Sequence, residues 1–142
     1  MSEATRRLGP FWTMTRSQVY RELPALAEVG YVRVGKPGPR ASVPYTISAS
    51  GKRAFAKWIN EESGIGQLRD PVALRTAFAH HMTPSALSDM YKDAIEYHNE
   101  ALNDVKNRAK DLASDDAGSA TAMDFAIGYH KAAISWLKSR QK

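Results

Sequence analysis

The stretch "TRSQVYRELPALAEVGYV", residues 15–32, constrains this chain more than any other. Thr15 and Gln18 have the T-x-x-Q spacing of a capping box, so a helix is expected from about Arg16. Val19, Leu23 and Leu26 recur on one stripe and are expected to face the core. Gly30 is placed to stop the helix after Val29. Pro24 cannot donate to the carbonyl of Tyr20, so a kink is expected there. The chain then reads "YVRVGKPGPRASVPYTIS". Tyr31–Val34 alternate, "GKPGPRAS" is a Gly/Pro loop, and Val43–Ile47 resume a strand. Pro44 favours an edge position. Ser48 caps a following helix, "ASGKRAFAKWINEE", with Ala54, Phe55, Trp58 and Ile59 expected to turn inward. Helix, glycine and a hairpin with a basic tip form the second half of a winged helix-turn-helix. In that fold the helix enters the DNA major groove and the wing lies alongside.

Charge supports a polyanionic partner for one half of the chain. Residues 1–60 hold ten Lys or Arg against three acids, a balance of +7, whereas residues 61–142 hold ten against twelve, a balance of −2. With the Val19 stripe turned inward, Ser17, Gln18 and Arg21 face outward and Tyr20 stands on the flank. Gln can bond an adenine edge and Arg a guanine edge, while a Tyr hydroxyl suits a phosphate. Lys36 and Arg40 stand on the wing tip, where cations meet the backbone or a narrow minor groove. The candidate contacts to double-stranded DNA are therefore Ser17, Gln18, Tyr20, Arg21, Lys36 and Arg40. Simpler roles compete: Gln18 can serve only the capping box, and Arg21 can pair with a glutamate on its own helix. Tyr31 and Tyr45 are expected in the core.

The chain divides near "NEESGIGQLRDP", giving a DNA-binding domain over 1–62 and a helical domain over 63–142. Three helices are expected in the second domain: Val72 to about His81, Ser85 to about Ala113, and Ser119 to Ser139. The middle one carries the stripe Leu87, Tyr91, Ala94, His98, Ala101, Val105, Ala109 and Leu112. The last has two apolar stripes, Met123, Ile127, Ile134 and Phe125, Tyr129, Ala133, Trp136. A helix apolar on two sides is covered on two sides, and a second subunit would supply the outer cover. Tyr91, Phe125, Ile127, Tyr129 and Trp136 are thus candidates for a ligand pocket or a dimer interface. The fold class expected is mainly α with a small β-hairpin wing: a winged helix-turn-helix followed by a helical dimerisation domain.

Enzyme chemistry finds no carrier. There is no HExxH, no nucleophile elbow and no phosphate loop, and the chain has no cysteine. His80 and His81 are adjacent and expected on different helix faces, and His98 sits on an apolar stripe, as a satisfied interface histidine would. No catalytic residue, metal site or cofactor is expected. No run of 18 apolar residues could span a membrane, and no h-region marks a signal peptide.

"FWTMTRSQVYRELPALAEVGYV" followed by "VPYTISASGKRAFAKWI" resembles PadR-family transcriptional regulators. "RDPVALRTAF" is similar to the segment leading into that family's C-terminal domain, and "GYHKAAISWLKS" to its last helix. The resemblance covers nearly the whole chain. It implies a bacterial, cytoplasmic, homodimeric regulator, usually a repressor, often released by a small-molecule effector. Tyr20 and Arg21 match DNA-contact positions of the family, while "KPGPRAS" departs from its commoner G-R-x-R-K wing. A winged helix also has a first helix, and "SEATRRL" (2–8) corresponds only to the tail of the second. That expectation keeps an alternative open: a short dimerisation partner that antagonises a full-length regulator without binding DNA strongly.

Overall fold

The computed structural model describes Gly9, Trp12 and residues 14–39, 42–112 and 117–141. Arg40 and the tail expected over 2–8 lie outside the described residues. Two compact units emerge, one over Met14–Gln67 and one from Leu68 onward.

The first unit opens with α1 (Arg16–Glu28). Thr15 caps it as expected: the Gln18 amide donates to Thr15 Oγ1 at 3.2 Å, and the Thr15 amide donates to Gln18 Oε1 at 2.8 Å. The helix is continuous through Pro24. It stops at Gly30, whose φ of +73° is left-handed. There the Gly30 amide donates to the Ala27 carbonyl (3.0 Å) and the Tyr31 amide to that of Leu26 (2.9 Å), a Schellman closure. Two strands follow, β1 (Val32–Val34) and β2 (Tyr45–Ile47), antiparallel with Val32 opposite Ile47 and Val34 opposite Tyr45. Both are shorter than the sequence pattern suggested. Pro44 falls just before β2, where its missing N–H removes no ladder bond, and its carbonyl accepts from the Gly35 amide at 2.8 Å.

The helix α2 (Ala49–Ile59) is locked to this hairpin. Ser48 Oγ accepts from the Gly51 amide (3.0 Å) and donates to the Gly30 carbonyl (2.7 Å). Ser50 Oγ donates to the same carbonyl at 2.9 Å. Gly51 is buried, and a Cβ there would lie 2.0 Å from the Tyr31 carbonyl oxygen. Several side chains expected inside are not. Val19, Leu23, Ala54 and Tyr45 are only half-buried, and Leu26, Tyr31, Phe55, Trp58 and Ile59 are exposed. The physical reason is a lack of layers among the described residues: one hairpin and one further short helix cannot enclose both faces of α2. Phe55 and Trp58 instead pack on each other, ring centroids 5.7 Å apart.

The second unit begins with α3 (Pro71–Ala77), where Asp70 Oδ1 accepts from the Val72 and Ala73 amides, both at 2.8 Å. A 3-10 turn, Ala79–His81, continues the helix that was expected to run unbroken to His81. Within it the adjacent His80 and His81 rings lie 4.0 Å apart, closer than residues on different helix faces were expected to be. Thr83 caps α4 (Pro84–Lys110), with Pro84 in its first turn. The last helix, α5 (Ala117–Arg140), packs along α4. Their seam holds two apolar clusters. Tyr91, Ala94 and Leu137 form one, and Val105, Met123 and Ala126 the other. Among the described residues, no helix is long and apolar enough to cross a membrane.

Candidate functional site

α1 presents three of the expected contacts on one face. Ser17, Gln18 and Arg21 are exposed, and Tyr20 on the flank is 77% exposed. Gln18 and Arg21 also have local roles that sequence could only pose as alternatives. Gln18 Oε1 is engaged by Thr15, so reading adenine with both carboxamide atoms requires Gln18 to leave the cap. Arg21 pairs with Glu22 at 2.8 Å, but both side chains are largely exposed. Such a pair in water is weak and easily exchanged for a guanine edge or a phosphate. Lys36 is exposed in the loop between β1 and β2. That loop is braced by the Gly38 amide donating to the Ser42 carbonyl at 2.7 Å. Arg16, Arg33, Lys52 and Arg53 add exposed cations to the same unit. The charge count over residues 1–60 already contained them, but no motif singled them out.

The aromatic candidates of the helical unit separate into different environments. Tyr91 is core, not an interface residue: it is buried, meets Trp136 edge-on at 6.4 Å, and its hydroxyl reaches Thr76 Oγ1 at 3.3 Å. Ile127 is also partly buried, packed on the Val105 cluster. Phe125 of α5 is 71% exposed, and Trp136, which meets Tyr91 of α4, is 37% exposed. Tyr129 borders a cleft of about 650 Å³ built from α3, α4 and α5. Its walls include Arg69, Asp70, Arg75, Tyr97, His98 and Tyr129. The Tyr129 hydroxyl is held above its ordinary pKa by burial, then by the negative charge of Asp70. Asp70 therefore caps α3 and acts electrostatically on Tyr129 of α5. The D-P pair at 70–71 was the only signal of that residue in the sequence.

His98 is buried as expected of a stripe histidine, but its partner is His130, Nδ1 to Nδ1 at 2.9 Å. Sequence spacing gave no sign of this pairing across 32 positions. Among the described residues, no group of three or more metal-ligating side chains is assembled.

A capped helix stopped by glycine, followed by a braced hairpin and a second helix seated on it, defines a winged helix transcriptional regulator. Residues 68–140, over half of the chain, match the family described as Virulence activator alpha C-term. The chain is 27% identical to the negative transcriptional regulator PadR of Bacillus subtilis over 145 aligned residues, covering 93% of this chain and 80% of that protein. The fold matches the crystal structure of Bacillus subtilis PadR in complex with operator DNA with a TM-score of 0.75, at 24% identity, over 96% of this chain and 82% of that one. It matches the structure of the same protein in complex with p-coumaric acid with a TM-score of 0.71, at 25% identity, over 93% and 79% of the two chains. The chain belongs to the family described as Virulence activator alpha C-term and is a PadR-like, DNA-binding transcriptional regulator. Its relatives are regulators, not enzymes.

Proposed function

We propose that the chain is a repressor that binds operator DNA as a homodimer, with α1 in the major groove and the β1–β2 loop against the backbone. A small aromatic or apolar ligand, held in the helical unit, releases it. The observation that carries this reading is the exposed face of α1, Ser17, Gln18 and Arg21 with Tyr20 beside it, in the strongly basic part of the chain. The name of the Bacillus subtilis relative, a negative regulator, supports the sign of regulation. The operator complex of that protein supports the DNA partner, and its p-coumaric acid complex supports an aromatic effector. In this chain the cleft beside Tyr97, His98 and Tyr129 offers aromatic walls, with Arg69 and Arg75 for an acidic group.

Fluorescence anisotropy tests the proposal, using the full chain and duplex DNA from upstream of its own gene. Saturable, salt-sensitive binding is expected, weakened by added p-coumaric acid or a related phenolic acid. Binding no tighter than to scrambled duplex would overturn the operator reading and favour the short dimerisation partner. Unchanged binding across a panel of aromatic acids would remove the effector.

A further inference from the structure

We propose that the buried hydrogen bond between His98 and His130 is an acid-sensitive latch joining α4 to α5, which tolerates one added proton and opens on the second. The two rings form the polar layer between the Tyr91 cluster and the Val105 cluster, so both halves of the helix seam meet at this bond. With Nδ1 facing Nδ1 at 2.9 Å, one nitrogen must carry the hydrogen and the other must offer its lone pair. In the neutral pair the donor ring is therefore the Nδ1–H tautomer and the acceptor ring the Nε2–H tautomer. A first added proton can settle on Nε2 of the donor ring and leave the bond intact. A second has only the accepting Nδ1 left, so two N–H groups and two cations then face each other.

The surroundings make that second step costly. Burial lowers the pKa of His98, opposed by the negative charge of Asp70 at the start of α3. Burial also lowers that of His130, and the neighbouring His98 lowers it further. Tyr97 on α4 and Tyr129 on α5 meet the His98 ring edge-on at 5.2 and 5.8 Å. The cleft beyond His98 adds Arg69 and Arg75 from the α3 side and Asp89 and Asp93 from α4. Because both folded pKa values lie below the ordinary histidine value, the pair contributes full stability above about pH 6.5. That contribution is lost as pH falls below 6.5 through the folded values. His98 also lines the cleft, so opening the latch deforms the wall that carries Tyr129 and Asp70.

The test compares thermal melting of the full chain with that of His130→Gln between pH 7.5 and 5. The carboxamide keeps a partner for His98 but removes one titrating group. The wild type is expected to lose roughly 5 °C more than the variant over that range. Proton NMR of the wild-type histidines gives a second reading should the variant fail to fold. There His98 and His130 should titrate in two separate steps below the ordinary histidine value, with α4 and α5 amide exchange rising at the second. Equal melting losses in the two proteins, or a buried pair that titrates in a single step at the ordinary histidine value, would overturn the latch.

Discussion

Gln18 and Arg21 each hold a structural bond and face outward, so stability and recognition have to be separated at the level of single residues. Thr15→Ala and Gln18→Ala both break the capping box and should each lower stability by about 1 kcal/mol in urea unfolding. If Gln18 also reads a base, only Gln18→Ala should change which operator variants are preferred. Equal effects of the two substitutions on base preference would reduce Gln18 to a cap. Arg21 loses little when Glu22 releases it, because both side chains stand in water. Arg21→Ala should therefore leave melting nearly unchanged while weakening operator binding by roughly 1–3 kcal/mol and relaxing one base position. Operator affinity untouched by Arg21→Ala would refute the assignment of α1 as the reading helix. Lys36 on the wing loop should behave differently. Lys36→Ala is expected to weaken all sequences alike and to reduce the salt slope of binding by about one.

At the level of elements, the join between hairpin and α2 depends on Gly51. A methyl group there would sit 2.0 Å from the Tyr31 carbonyl oxygen, and that atom belongs to backbone fixed by the Schellman closure and by β1. Gly51→Ala should cost roughly 3 kcal/mol and loosen the wing, visible as lost amide protection over Val32–Val34 and Tyr45–Ile47. Wild-type protection in that variant would show that α2 can shift at little cost. The sequence disclosed this element well because its signals are local: Thr15 with Gln18, Gly30 after α1, Ser48 before α2. It disclosed burial poorly. Whether Phe55 and Trp58 are inside depends on what lies over them, which no short-range spacing encodes. Along α4 the expected stripe took Ala101 after His98, whereas the buried position is Leu102. Three- and four-residue steps are both helical, and only the partner helix decides between them. His130 was invisible as a partner for the same reason, since its pairing exists only once α4 and α5 pack.

For the whole molecule, the outer side of α5 poses the question of assembly. Phe125 is 71% exposed and Trp136 37% exposed, and Leu74 and Phe78 of the same unit are 63% and 55% exposed. Apolar side chains this large seldom stay in water in numbers unless another surface meets them. The proposed homodimer would bury them, and its two reading helices would meet half-sites about 34 Å apart or a multiple of that. Phe125→Asp separates this interface from the fold. Phe125 contributes little to the interior of its own chain, so the variant should melt close to the wild type, yet a charge in an apolar interface without a partner is strongly unfavourable. Light scattering should then show twice the chain mass for the wild type and a single chain mass for the variant at micromolar concentration. Ile127→Asp is the contrasting control: Ile127 packs on the Val105 cluster, so that substitution should lower the melting temperature directly. With the dimer split, the second half-site no longer binds at high effective concentration, and operator affinity should fall by roughly 10²- to 10⁴-fold while affinity for a single half-site is kept. A variant that stays dimeric, or a wild type that is monomeric while binding the full operator tightly, would place the assembly surface elsewhere than on the Phe125 side of α5.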